Sequence, residues 1–373
     1  MRDRLAYGVL LAVGIVDAIG YGIIGPIVPA ISDATGGGPA VMGALVAMFG
    51  IGMVIGFWFA GRGVQRTSPM AVIVASLLLS AVAAAGFLLA PSLPIYFAAR
   101  FLMGFAAGGL WLGGAFAAME RWPGDEYRRL SGLMAVYSAG AIAGPALAGV
   151  GGIRGPFALY IGLVVLVTLL LPLLGAPHVH APAFRSDRAV LRNPSFGVST
   201  AAITLVAVTI ATFDGVLPLH FDERLGQSGI AALYACAGIV IALATVLAAR
   251  LEMRRAVVAG TILIVVGLSV AGATGELWWW VIAVALAAVG FGFDQTGSLG
   301  FLLDAVGPER MILAMVVWSQ VFAIGYLVGP LLGGLVAETL GYGALVLVPL
   351  VFALAVFATL ARATRRAAIS SPG

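Results

Sequence analysis

The chain has 373 residues, 62% of them hydrophobic and 10% charged, a balance that no domain of this length keeps in water and that makes lipid its solvent. Its net charge of +4 comes from 20 arginines and no lysine, placed between apolar runs rather than gathered in a patch, which excludes nucleic acid as a partner. A lone Cys236 leaves no internal disulfide, and His178 and His180 in a loop with His220 near a helix end do not make a metal cage.

A bilayer-crossing helix takes about 20 apolar residues at a rise of about 1.5 Å, so the length accommodates roughly a dozen. The first apolar run, from Leu5 to about Ile31, is too long for the core of a cleaved signal peptide and is predicted as span 1. Further spans are predicted at 40–60, 70–90, 94–118, 130–150 and 157–175, then at 196–219, 229–249, 256–274, 277–301, 311–335 and 342–361. The expectation is an all-α membrane protein with twelve transmembrane helices in two six-helix bundles. The bundles are residues 1–174 and 196–373, the second ending in a short cytoplasmic tail, and a cytoplasmic central loop, 175–195, with Pro177, Pro182 and Pro194, joins them.

Arginines fix the orientation. With the N-terminus inside, 17 of them fall in cytoplasmic segments, and only Arg154 and Arg224 fall outside; this asymmetry predicts both termini in the cytoplasm. The Trp278–Trp280 run then lies at the outer interface, where an aromatic belt is expected. An internal repeat supports the two halves: Gly140-x-x-x-Gly144-Pro145 with Gly149 in span 5 recurs 185 residues later as Gly325-x-x-x-Gly329-Pro330 with Gly333 and Gly334 in span 11. Two units of the same orientation form a parallel repeat.

Ionised side chains inside a bilayer are costly and point to function. Arg100, in span 4, requires a partner or a wet cavity unless it snorkels to the outer surface. Asp17 lies about twelve residues, roughly 18 Å, from the inner end of its span, and Arg100 about six residues, roughly 9 Å, from the outer end of its own. In a slab of about 30 Å these depths differ by a few Å, so a pair between them is geometrically open. Tyr21, one turn beyond Asp17, shares its face. Asp214, just before Pro218, is expected near the outer mouth, as a gate or an interfacial residue. Asp294, among Gly290, Gly292, Gln295 and Gly297, is expected in the inner third, facing close-packed backbone or the cavity.

The string Gly140, Gly144, Pro145, Ala148 and Gly149 closely resembles the antiporter motif of drug and metabolite exporters of the major facilitator superfamily. Small residues at this spacing give a smooth face for close helix contact, and the proline permits a bend. Arg100 to Gly104, preceded by Tyr96, is similar to the superfamily's fourth-helix motif, and Phe213 to Pro218 leading to Gln227 resembles its seventh helix in small bacterial members. The stretch Gly56 to Arg66, expected as the loop between spans 2 and 3, departs from the family's gating signature. Arg62 and Arg66 remain, but Gly61 stands in place of the acid and the spacing from Gly56 is one residue off. The later loop Glu120–Arg129 offers mixed charges for ion pairs.

The resemblance covers essentially the whole chain and implies a major facilitator fold in the cell's inner membrane, acting by alternating access. It implies proton-coupled efflux of a small amphipathic drug or metabolite, a multidrug-resistance activity. Asp17 and Arg100 are the expected proton-coupling pair, with Asp294 as a further candidate: Asp17 takes a proton and releases Arg100, unless the two form a fixed tie between spans 1 and 4. Tyr21, Trp111, Tyr137, Trp318 and Gln320 are the expected cavity lining, and Arg62, Arg66 and Asp214 the expected gate. The expected partners are a small-molecule substrate, protons and the bilayer, with the chain a monomer and no cofactor. Without lysine there is no phosphate-binding loop and no nucleotide motor, and no Ser/His/Asp grouping suggests an enzyme. Two rival readings are an uptake symporter or facilitator for a small organic solute, and a non-transporting sensor, which the altered gating stretch favours.

Overall fold

The computed structural model describes residues 2–89, 92–122, 125–175, 192–306 and 311–370, which are helical throughout apart from short connections. In the first half, α1 (Arg2–Gly22) is followed by a 3₁₀ turn, Gly25–Ile27, and α2 (Val28–Thr35). Then come α3 (Pro39–Arg66), α4 (Pro69–Leu89), α5 (Leu93–Arg121), α6 (Glu126–Ala148) and α7 (Arg154–Leu170). The second half holds α8 (Pro194–Gly215), α9 (Leu217–Ala248), α10 (Met253–Ala273), α11 (Leu277–Ala305), α12 (Met311–Leu340) and α13 (Leu347–Ser370). Among the described residues eleven helical segments, with α1 and α2 taken together, are long and apolar enough to cross a membrane, and α6 contributes a shorter apolar stretch, Ala139–Ala148. Half or more of each of Leu78, Val82, Leu169, Leu243 and Val351 is exposed, the outward apolar face that lipid selects. The chain is a multi-pass membrane protein.

Proline and glycine set where the long segments break. Pro26 and Pro29 follow the end of α1, and Pro218 follows the end of α8; each lacks an N–H and disfavours helix in the residue before it. α9 is two helical pieces joined at a kink, 217–225 and 227–248, the second matching the expected span 8; the kink falls at Gly226, whose φ of 60° and ψ of 173° suit glycine almost alone. Arg62 and Arg66, expected in a loop, belong to the last turns of α3. Most of the expected central loop, residues 176–191, lies outside the described residues.

The buried apolar side chains fall into two large clusters, one from residues 6–174 with Ala211, Ala323 and Tyr326, the other from residues 196–360. Glycines let helices touch through their backbones. A Cβ on Gly140 would overlap Ala18 and one on Gly144 would meet Gly22, so α6 lies tight on α1; Gly325 and Gly329 bring α12 equally close to Ala207 and Val208 of α8. The motif repeated in sequence is therefore a contact repeated in space.

Calling the end at which α1 begins proximal, the halves are tied together at the distal end. Glu338 Oε2, on α12, accepts the N–H of Ala40 at 2.8 Å, capping α3. Gln227, on α9, donates to Ala148 O at 2.6 Å and Gly152 O at 2.9 Å and accepts the Gly152 N–H at 2.9 Å, closing the end of α6. Beside these bonds Gly43 approaches Pro330, and Gly238 approaches Ala141.

Gly329→Leu is expected to lower the unfolding temperature in detergent by several degrees, since overpacking costs about 1–3 kcal/mol. Gly61→Leu, whose added side chain starts in open space, should leave it within about one degree; differential scanning fluorimetry compares the two.

Candidate functional site

Between the halves lies a cavity of about 170 Å³ whose wall includes Asp17 and Tyr21 of α1, Phe49 and Phe57 of α3, Trp111 of α5 and Tyr137 of α6. From the other half come Ile210 of α8, Ile241 of α9, Gln295 of α11 and Trp318, Ser319 and Phe322 of α12. Asp17 is its one carboxylate among the described residues and is 6% exposed. It accepts a hydrogen bond from the Tyr137 hydroxyl, and Trp111 meets Tyr137 edge to face at 5.1 Å. The close approach of α6 to α1 through Gly140 carries Tyr137 to Asp17. Trp318 is oriented by its Nε1–H, which donates to Ser298 Oγ at 2.9 Å; that hydroxyl in turn donates to Ser199 O at 2.9 Å.

Arg100 is fully buried and does not pair with Asp17, which corrects the expected coupling pair. Because span 1 breaks after Gly22, the last carbonyls of α1 lack helical partners. Arg100 supplies them, Nη1 donating to Gly20 O at 3.2 Å and Nη2 to Tyr21 O at 3.4 Å. A cation at a helix C-terminus is also favoured by the helix dipole. Its Nη2 further donates to Tyr326 Oη at 3.3 Å, and the guanidinium lies 4.3 Å from the centre of the Phe49 ring. Tyr326 donates to Asp214 Oδ2 at 3.0 Å. Arg100 in one half thus reaches a carboxylate of the other through a tyrosine that the sequence did not single out.

Asp214 borders a second cavity, about 100 Å³, which shares Tyr21, Ala141, Ile210 and Ile241 with the first and is otherwise almost wholly apolar. A larger hollow of about 290 Å³ against Phe87, Tyr96 and Arg154 shares no lining residue with either.

Four of the five expected lining residues, Tyr21, Trp111, Tyr137 and Trp318, reach the first cavity. Gln320 does not; its amide points to Val54 O at 3.5 Å, and Gln295 supplies the cavity's amide instead. Asp294 stays out of the cavity, because Gly260 lets α10 press against it and Thr261 Oγ1 donates to its carboxylate at 3.2 Å. Of the expected gate, Arg62 lies over Trp58 at 3.4 Å from the ring centre, on the proximal part of α3. In the Glu120–Arg129 stretch, Asp125 pairs with Arg129 at 2.9 Å and Arg121 with Asp3 at 3.5 Å. Of the Trp run, Trp278 and Trp279 are about half exposed, whereas Trp280 is buried against His220.

The fold and its central cavity define a membrane transporter. The profile of the Major Facilitator Superfamily matches residues 10–268, and the chain belongs to that superfamily. It is 26% identical over 264 residues to the multidrug resistance protein 2 of Bacillus subtilis (strain 168), the match covering 66% of each chain, just under two thirds of that protein. Among solved structures it is similar to a bacterial homologue of the human lysosomal transporter Spinster, inward-facing and unoccupied (15% identity, 98% of this chain and 95% of that one, TM-score 0.70). It is also similar to a POT family transporter in complex with a thioalcohol-conjugated peptide (11%, 96% of each chain, 0.78) and to the nucleoside transporter NupG (15%, 95% and 99%, 0.71). That superfamily is one of membrane transporters rather than enzymes.

Arg100→Lys is expected to behave like Arg100→Ala in stability, since one ammonium cannot span two carbonyls, a hydroxyl and a ring face. Each should lose about 2 kcal/mol or more through unpartnered buried groups; thermal unfolding and the yield of monodisperse protein measure this.

Proposed function

We propose that the chain exports a small amphipathic organic molecule in exchange for protons. It works as a monomer in the cell's inner membrane, with twelve spans in two six-helix halves, residues 1–174 and 196–373. The halves alternate access to the central cavity. The arginine asymmetry supports cytoplasmic termini. In that topology the distal ties shut the cavity from the outside, and substrate enters from the cytoplasmic end.

The observation that carries the reading is Asp17, a single carboxylate in an aromatic and aliphatic cavity, held by Tyr137. Rings offer stacking surface and, to a cation, attractive faces, so a hydrophobic molecule with a protonated amine fits such a wall. Amine and proton compete for one carboxylate: a substrate arriving from the cytoplasm displaces the proton, and a proton entering from outside displaces the substrate. With Arg100 bound elsewhere, the competition does not involve an internal cation at Asp17. Similarity to a multidrug resistance protein points the same way. Sugar uptake is disfavoured by the scarcity of polar groups, the amide of Gln295 and the hydroxyl of Ser319 being the main ones beside Asp17 and the tyrosines.

A panel of hydrophobic amines, screened for altered tolerance in cells with and without the protein, supplies test substrates. In inside-out vesicles with an imposed proton gradient, Asp17→Asn should reduce gradient-driven flux about tenfold or more; undiminished flux overturns the reading. Binding to the purified wild-type protein should tighten as pH rises, because fewer protons compete, whereas the Asp17→Asn protein should bind weakly and without that dependence. Equilibrium binding across pH measures both.

A further inference from the structure

The two halves each contain an aspartate that accepts a tyrosine hydroxyl from the helix bearing the glycine-proline motif. In the first half Asp17 of α1 takes Tyr137 of α6; in the second, Asp214 of α8 takes Tyr326 of α12. Matching the ends of α1 and α8 at Gly22 and Gly215, and the motifs at Gly140 and Gly325, puts Ile210 and Phe322 at the repeat positions of Asp17 and Tyr137. Asp214 and Tyr326 each lie one helical turn further on. The second pair therefore lies about one turn further along both helices than the first, with the same kind of hydrogen bond but nearer the distal end and outside the first cavity.

That shift gives the second pair a contact the first lacks. Tyr326 Oη also accepts from Arg100 at 3.3 Å, across the boundary between the halves. A hydroxyl that donates to a charged carboxylate is the better acceptor for a guanidinium. Around Asp214 the titratable and charged groups are Tyr326 of α12, Tyr234 of α9, whose hydroxyl donates to Phe213 O at 2.6 Å, Arg100 of α5 and Tyr21 of α1. Gly25, in the turn beyond α1, comes up to the other carboxylate oxygen without adding a charge.

We infer that Tyr326 is a positioning residue through which Asp214 holds the distal end shut, so that Asp17 serves binding and Asp214 serves gating. Protonation of Asp214 removes the charge that polarises Tyr326, weakens its bond to Arg100 and frees the halves to part distally. The place of this step in a transport cycle rests on the exporter reading; the step itself is read without substrate.

The test uses the full-length protein with Cys236→Ser and a reporter, Ile210→Cys, on the wall shared by both cavities. A membrane-impermeant maleimide is added to intact cells, whose outer face is the distal one in this topology. With Tyr326 present, the reporter should be protected at neutral pH, and its rate relative to that of a freely exposed cysteine at the same pH should rise on acidification, the reference removing the loss of thiolate that slows every maleimide reaction in acid. Tyr326→Phe, which keeps the ring, and Asp214→Asn should each raise the neutral-pH rate about fivefold and flatten the acid response. Asp17→Asn should retain the acid response, whatever it does to flux. An acid response caused by other groups at the distal end would survive in Tyr326→Phe and Asp214→Asn. Protection and acid response persisting in both monodisperse variants, or an acid response lost in Asp17→Asn instead, overturns the inference; should Tyr326→Phe fail to fold, Asp214→Asn alone decides. Undiminished gradient-driven flux in Asp17→Asn alongside an intact labelling pattern would sink the exporter reading and leave the gate standing.

Discussion

A guanidinium with no exposed surface in the middle of a lipid-embedded helix bundle needs somewhere to put its hydrogen bonds, and the break in the first span provides it. Where α1 stops at Gly22, carbonyls that a continuous helix would have used turn towards α5, and Arg100 takes those of Gly20 and Tyr21. The charge and the break are mutually dependent: without the break the cation has too few acceptors, and without the cation the carbonyls are stranded in a medium that offers no water. This arrangement leaves Asp17, little more than one turn back, free of Arg100 and facing the cavity with Tyr137 as its partner.

Close helix contacts let these polar groups meet. Gly140 and Gly144 bring α6 onto α1, and Gly325 and Gly329 bring α12 onto α8; van der Waals packing of small residues is a principal source of helix association where lipid removes the hydrophobic drive. Each contact also carries a tyrosine to an aspartate. The distal side-chain-to-backbone bonds of Gln227 and Glu338 then join helices of opposite halves at their ends. They lie far from α3's proximal end, where Arg62 lies on Trp58.

Much of the architecture was legible in the sequence, since apolar run length and proline or glycine breaks report directly on bilayer crossing. The glycine repeat was legible for the same reason, each small residue marking a place where backbone meets backbone. Tyr21, Trp111, Tyr137 and Trp318 do border the cavity, but residue type alone did not place them there, since other aromatic side chains such as Trp58 and Phe59 lie half exposed on the outside of the bundle. Depth along a helix was readable, but direction around it was weaker. Asp17 and Arg100 lie at similar depths yet face different neighbours, and Asp294 turns to Thr261 rather than to the cavity. Tyr326 escaped notice because a lone tyrosine near glycines carries no signal until a partner from a distant segment arrives beside it, and Gln227 was legible only as part of the connection after span 7.

The central claim is that substrate and proton share one carboxylate in the cavity. It is tested most directly by counting protons when an amine from the tolerance panel binds purified protein in weakly buffered detergent solution, over about pH 5 to 8, with titration calorimetry in two buffers of different ionisation enthalpy. The account predicts that wild-type protein releases up to about one proton per molecule bound in part of that range, and that residual binding to Asp17→Asn releases none. Release of the same number of protons by both proteins would contradict it.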